Sequence, residues 1–234
     1  MSADRGSGAT PVHVGLMVPA NNTTFEREIV QWLPPRSTVR VAKIPRSAEL
    51  MTVQTLPHYN QRALELAEDF RDSGVDIVLY GCTAAGFIGG PSADRDLADD
   101  LRALTRKRVA TTAHSMALTL REAGLKRIAL VTPYQDGLNT QLKAYLAEEG
   151  FKVVRFDSFH ADSVDTLCRI EASQVRDMAL RTVDDSCDGL FVACAQLPTA
   201  EILSGLRDAL GIPVFSSNFS CVRQGLAQLE RLTG

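Results

Sequence analysis

Short apolar runs alternate along this chain with longer segments in which apolar residues recur at helical spacing. The runs fall at 12–18, 39–44, 75–80, 108–110, 127–131, 152–156, 189–193 and 213–215, and the helical segments at 23–33, 57–73, 93–105, 114–123, 138–149, 171–184, 199–210 and 218–232. Parallel strands need crossovers, and crossover helices cover both faces of the sheet, so continuous rather than alternating apolar strands predict an α/β fold. Pro57 opens one helix, and Gly74, Gly124 and Gly150 stand where a helix ends before a strand.

Eight βα units would allow a closed barrel, but the chain is short for one, and an internal repeat points to two halves. GLMVP ends at Pro19 and ALVTP at Pro133; DIVLYGC ends at Cys82 and DGLFVAC at Cys194. The cysteine follows the proline by 63 residues in the first copy and 61 in the second. RVATTAHS (108–115) and PVFSSNFS (213–220) add a third match, two hydroxyl residues just after a short strand. The expected organisation is a first α/β half of residues 12–112 plus 217–234 and a second of 113–216. Two doubly wound halves of this kind meet along a cleft at the carboxyl ends of their strands.

Composition narrows the function classes. The chain has 234 residues, 45% hydrophobic and 23% charged, enough apolar material for real cores. With 25 Lys plus Arg against 28 Asp plus Glu, no strong positive field exists to hold a phosphate backbone, and nucleic acid is not an expected partner. No run reaches the ~18 apolar residues of a membrane-spanning helix, and no membrane association is expected. The opening MSADRGSGATP is small and polar, without the apolar core of a secretory signal, which predicts a disordered stretch over 1–11 and a cytoplasmic protein. Five cysteines, an odd number, argue for reduced thiols. None forms a Cys-x-x-Cys pair and the four histidines are scattered, so no metal site is expected. Neither phosphate-loop glycine pattern is present, and no nucleotide cofactor is expected.

The chemistry gathers at strand ends. Cys82 opens GCTAAGFIGGP, a glycine-rich loop ahead of a helix, where unpaired N–H groups favour an anion. Cys194 stands at the matching position of the second half. A free thiol is only ~3% thiolate at pH 7, so a thiol that acts as base or nucleophile needs a lowered pKa, which the loop geometry offers. A single cysteine after a strand is ordinarily an inert core residue. Two at equivalent positions of facing halves approach a small substrate from opposite sides. Asn21, Asn22, Thr23 and Thr24 follow the first strand; one of them serves as a helix cap, and the others offer amide and hydroxyl groups to a carboxylate. Tyr134 occupies the equivalent place in the second half and either covers the sheet end or binds the same ligand. His114 follows Thr111 and Thr112 near a strand end but has no triad partner.

VPANNTTFERE, YGCTAAGF, VTPY and ACAQLP together resemble the aspartate/glutamate racemase superfamily, in its maleate cis-trans isomerase and arylmalonate decarboxylase branch. The resemblance runs from about Val12 to Ser217. It implies two pseudo-symmetric Rossmann-like parallel-sheet halves, an active site in the cleft between them, no cofactor or metal, and a small carboxylate substrate. Catalysis would fall to Cys82 and Cys194, and substrate contacts to Asn22, Thr83, Tyr134, Ser163 and Ala195. Decarboxylases of the branch lack the first cysteine; both are present here. By this carry-over the Cys82 thiolate adds to the maleate double bond, the bond rotates, and elimination gives fumarate, with Cys194 as acid or stabiliser. One departure stands out. The isomerases carry an asparagine in an Ala-Asp-Asn stretch, where this chain has Ser163 in ADSVD. A homo-oligomer is compatible with all of this.

Other uses of the same residues remain open at this level. A two-thiol racemase would remove and return an α-proton, a decarboxylase would release carbon dioxide from a malonate, and a carboxylate-binding module would turn nothing over.

Overall fold

The computed structural model describes residues 10–46 and 51–231. Residues 1–9, most of the stretch expected to be disordered, lie outside the described residues, as do 47–50 and 232–234.

All eight expected strands form. They are β1 (His13–Pro19), β2 (Thr38–Ile44), β3 (Ile77–Tyr80), β4 (Arg108–Thr111), β5 (Arg127–Thr132), β6 (Lys152–Ser158), β7 (Gly189–Val192) and β8 (Val214–Ser216). They make two four-stranded sheets, ordered β2-β1-β3-β4 and β6-β5-β7-β8, and every pairing is parallel. The two orders are the same when β5 is counted as the counterpart of β1. The central strands β3 and β7 are buried at every residue, the edges β4 and β8 are buried almost throughout, and the opposite edges β2 and β6 are half-exposed along most of their length. In each sheet the chain runs outward in both directions from β1 or β5. The gap between β1 and β3, and between β5 and β7, is therefore a topological switch point, where side chains at the strand ends face open space.

Among the described residues ten α-helices accompany the strands: α1 (Thr24–Ile29), α2 (Leu56–Ala67), α3 (Thr83–Phe87), α4 (Gly90–Thr105), α5 (Thr112–Glu122), α6 (Asp136–Glu148), α7 (Val164–Cys168), α8 (Ala172–Thr182), α9 (Leu203–Leu210) and α10 (Ser217–Glu230), the last after the final strand. Gly124 and Gly150 end α5 and α6 with φ of 71° and 89°, a region that side chains with a Cβ rarely enter. The third repeat match has a structural meaning. Thr111 caps α5 by accepting the His114 N–H at 3.2 Å, and Ser216 caps α10 by accepting the Phe219 N–H at 3.4 Å. These two capped helices pack against each other, and α10 also crosses onto β3 and β4 of the first sheet.

Three details depart from the periodicity. α3 and α7 are five residues each, too short to carry a helical period, and both lie in segments that read as loops. α9 starts at Leu203, not near 199, because the Thr199 and Ala200 N–H groups turn toward a side chain of the other half. α1 stops at Ile29, ahead of Pro34 and Pro35.

The largest apolar cluster is continuous across the two halves, running from Met17 and Tyr80 through Ala113 and Met116 to Val131 and Phe191. Cys82, Tyr134 and Cys194 belong to it, so the two strand-end thiols lie where one half packs on the other.

Candidate functional site

Cys82 follows β3 after Gly81 and is the N-cap residue of α3, with extended backbone. Gly81 lets this turn form: a Cβ there would come within 2.7 Å of a Val18 methyl and 2.8 Å of the Phe25 ring. The Gly81 N–H is bonded to the Met17 carbonyl at 2.7 Å, which fixes the end of β3 against β1. Cys194 follows β7 after Ala193 and holds a φ of 142°, a conformation largely confined to glycine. Its N–H donates to Ser217 Oγ at 3.0 Å, and the Gln196 N–H points back at its sulfur at 3.4 Å.

Both thiols, one from each half, line one cavity of about 60 Å³. Its walls include Asn21, Asn22, Thr83, Tyr134, Ala195 and Gln196, with Arg46, Met51, Leu138 and Leu167 at its edges. That volume is on the order of two liquid waters, so only a small or closely enclosed ligand fits. Asn21 Oδ1, Thr83 Oγ1, the Tyr134 hydroxyl and Gln196 Oε1 are all buried and have no hydrogen-bond partner among the described residues. Buried polar atoms are nearly always paired, and four orphans around one cavity mark a place built for a polar ligand.

Burial dominates the electrostatics of both sulfurs. It pushes the Cys82 thiol up, against the N–H of Ala85, the facing Tyr59 hydroxyl, the Arg46 guanidinium and the N–H of Ala84, which all favour the thiolate. Burial also pushes Cys194 up to about 11, opposed by the Gln196 N–H and the Tyr134 hydroxyl and reinforced by charge on Cys82. Neither tyrosine hydroxyl reaches hydrogen-bond geometry with its sulfur, so each acts through proximity. The lowered pKa expected from the loop is therefore not realised at either thiol. The helix-end N–H groups are in place, but desolvation outweighs them. The two thiols are not equivalent: the Arg46 guanidinium favours ionisation of Cys82, whereas charge on Cys82 opposes ionisation of Cys194.

The supporting residues explain how the side chains are held. Asn22 is buried, lines the cavity, and its Oδ1 accepts the Phe25 N–H at 3.1 Å, capping α1. Lys43, paired with Glu26, holds the Asn22 carbonyl at 2.5 Å. Tyr134 is fixed from behind: its carbonyl accepts from Asn139 Nδ2 at 2.7 Å and from Ser158 Oγ at 2.6 Å. Its ring meets Phe87 edge-on, with centroids 5.5 Å apart.

Of the residues expected in the site, Cys82, Cys194, Asn22, Thr83, Tyr134 and Ala195 all line the cavity. Ser163 does not. Its hydroxyl accepts the Thr166 N–H at 3.1 Å as the cap of α7, and it is Leu167, one turn further on, that reaches the cavity. His114 does not line it either; it sits in α5, and burial lowers its pKa. Among the described residues no group of His, Cys, Asp and Glu is placed to hold a metal ion, and no helix is long and apolar enough to cross a membrane. Arg46, Met51, Leu138 and Leu167 escaped the sequence reading. Arg46 stands two residues beyond the end of β2, and a search of every strand end would have reached it; the others carry no local signal.

Comparison with known proteins agrees with this fold. A maleate isomerase from Nocardia farcinica is 29% identical over 87% of this chain and 84% of its own length. The crystal structure of a maleate isomerase from Pseudomonas putida S16 with maleate, in a Cys-to-Ala form, superposes with a TM-score of 0.87 at 23% identity, covering 94% of this chain and 93% of that one. A Cys-to-Ser mutant of the Nocardia farcinica maleate cis-trans isomerase, described with a covalently bound succinylcysteine intermediate, gives 0.86 at 22% identity, covering 94% of each chain. The family model for arylmalonate decarboxylase matches residues 14–232. Two parallel α/β halves, a cysteine from each at a shared cavity, and a match over nearly the whole length place this chain in the arylmalonate decarboxylase family.

Proposed function

We propose that this protein is a cofactor-independent isomerase of a small unsaturated dicarboxylate, acting as a maleate cis-trans isomerase. The observation that carries the reading is the asymmetry of two opposed thiols at one cavity lined by unpaired polar groups. Cys82 has a guanidinium, two helix-end N–H groups and a tyrosine hydroxyl to favour its thiolate. Burial leaves both as thiols at rest; Cys82 gives its proton to water as the substrate enters, and Cys194, held near a pKa of about 11, keeps its own. Such a pair suits a nucleophile and an acid better than two interchangeable bases.

In this mechanism the Cys82 sulfur forms a bond to one olefinic carbon of maleate. The displaced π electrons move onto the adjacent carbon and its carboxylate as an enediolate. Asn22, Thr83, Tyr134 and the cavity's N–H groups stabilise that charge, and Arg46 supplies a positive charge beside Cys82 for a dianionic substrate. Cys194 donates a hydrogen bond, or a proton, to the carbon that gains charge. With the double bond reduced to a single bond, rotation by a half-turn separates the carboxylates. The Cys194 thiolate takes back any proton it gave to carbon, the electrons return to the C–C bond, the C–S bond breaks, and fumarate leaves with the Cys82 thiolate restored. The succinylcysteine named for the relative is the kind of adduct this sequence passes through.

The test is conversion of maleate to fumarate followed by ultraviolet absorbance. Turnover by the parent that is lost in both Cys82→Ala and Cys194→Ala, with a maleate-mass adduct on Cys82 trapped in Cys194→Ser, supports the reading. Carbon dioxide release from an arylmalonate that survives Cys82→Ala would assign the decarboxylase reaction instead. Solvent deuterium at an α-carbon of an amino acid would assign a racemase.

A further inference from the structure

We infer that Glu28 is a positioning residue that clamps the Cys194 loop of the second half to the first-half helix that Asn22 caps. The inference deepens the isomerase reading by naming what holds Cys194 in its strained conformation.

Glu28 is on α1, on the same short helix that Asn22 caps, and is only 6% exposed. Its carboxylate crosses to the segment after β7. Oε1 accepts from the N–H groups of Thr199 and Ala200, the latter at 2.8 Å. Oε2 accepts from Asn218 Nδ2 at 2.7 Å and from Thr199 Oγ1 at 3.2 Å. A buried carboxylate is costly unless its lone pairs are filled, and these four donors fill them.

The donors lead back to Cys194. Asn218 Nδ2 also donates to the Ala195 carbonyl at 3.2 Å, so one amide ties Glu28 to the residue next to the thiol. Thr199 Oγ1 lies 2.9 Å from Ser216 Oγ, and the neighbouring Ser217 Oγ accepts the Cys194 N–H at 3.0 Å. The loop from Cys194 to Ala200 is thus held at both ends by groups that converge on Glu28. A residue at φ of 142° persists only where its surroundings over-determine it. Glu28 supplies that determination from the other half, and so sets the spacing between Asn22 and the Cys194 sulfur.

Glu28→Gln keeps the side-chain size but turns one acceptor oxygen into a donor facing other donors. The expected result is a loop that relaxes and admits water to Cys194. Alkylation of Cys194 by iodoacetamide at pH 8, read by mass spectrometry, rises at least fivefold, and that of Cys82 stays within twofold. Turnover of maleate falls tenfold or more in kcat with KM within threefold, and Glu28→Asp recovers part of the loss. Asn218→Leu, which removes the bridge to Ala195 but leaves Glu28, gives the same selective rise in Cys194 labelling and serves if Glu28→Gln does not fold. Labelling of Cys194 within twofold of the parent in whichever of these variants fold overturns the proposal. The labelling arm stands even if maleate proves not to be the substrate, so failure of the clamp and failure of the isomerase reading give different results.

Discussion

The Gln196 N–H reaches back to the Cys194 sulfur at 3.4 Å, closing a tight loop around a residue whose φ is 142°. The acid of the proposed reaction therefore sits on backbone that costs on the order of 1–3 kcal/mol to maintain. The strain aims the thiol into the cavity; a relaxed β conformation would carry it elsewhere. Cys194→Gly removes both the thiol and the strain, whereas Cys194→Ala removes only the thiol. Chemical denaturation should find Cys194→Gly more stable than Cys194→Ala by about 1 kcal/mol, the reverse of the usual glycine penalty. Equal or lower stability of the glycine variant would show that the conformation is not strained.

Tyr134 gives a second separation of stability from activity. Its hydroxyl is buried without a partner, while its ring packs edge-on with Phe87. Tyr134→Phe keeps the ring and deletes an unsatisfied group, so thermal melting should stay level or rise. The hydroxyl is also the group facing both Cys194 and Thr83, and its loss should lower kcat about 10- to 100-fold. A variant that melts lower and turns over normally would contradict both halves of this statement.

The two site thiols should mark an alkaline limit to stability. Both have folded pKa values raised by burial, that of Cys194 to about 11, above the ordinary thiol value of 9.0. Below pH 9 the thiol is protonated in both states and the full stability is present. As pH climbs past 9 the unfolded chain loses protons that the folded protein retains, and stability falls until the folded thiols ionise. Denaturation midpoints measured from pH 8 to 11 should decline, and should decline less in the Cys82→Ala, Cys194→Ala double variant.

Asp94 shows the same sign at lower pH. It is buried in α4, accepts from Thr111 Oγ1 at 2.9 Å and lies 3.4 Å from the Tyr145 hydroxyl; burial raises its pKa from 3.8 to about 6. Its carboxyl is neutral in the folded protein at pH 5 and charged at pH 8, so its contribution is complete below 3.8 and lost as pH rises through 6. The shift corresponds to about 3 kcal/mol. Stability of Asp94→Asn relative to the parent should therefore grow between pH 4 and pH 8; a flat difference would sink the assignment.

Ser163 tests a local role against a ligand role. Its hydroxyl caps α7 through the Thr166 N–H. Ser163→Ala should cost about 1 kcal/mol of stability and leave KM for the substrate within twofold. A KM that rises tenfold with unchanged stability would return Ser163 to the cavity.

The sequence by itself determined the eight parallel strands, their division into two equivalent sets, and the strand-end positions of Cys82, Asn22, Tyr134 and Cys194. These follow from short-range rules: apolar runs of strand length, turn glycines, and a repeat that keeps its spacing. Only the tertiary structure decided the electrostatics and the support of the site. That Cys82 and Cys194 are raised rather than lowered depends on how much water the packed halves exclude, and no local pattern encodes that. That Arg46 joins the cavity, that Ser163 is spent on a helix cap, and that Glu28 reaches across to Thr199, Ala200 and Asn218 are all consequences of contacts between residues far apart in the chain. Side-chain reach and desolvation are properties of the assembled interface between the halves, and they exist only once both halves are folded against each other.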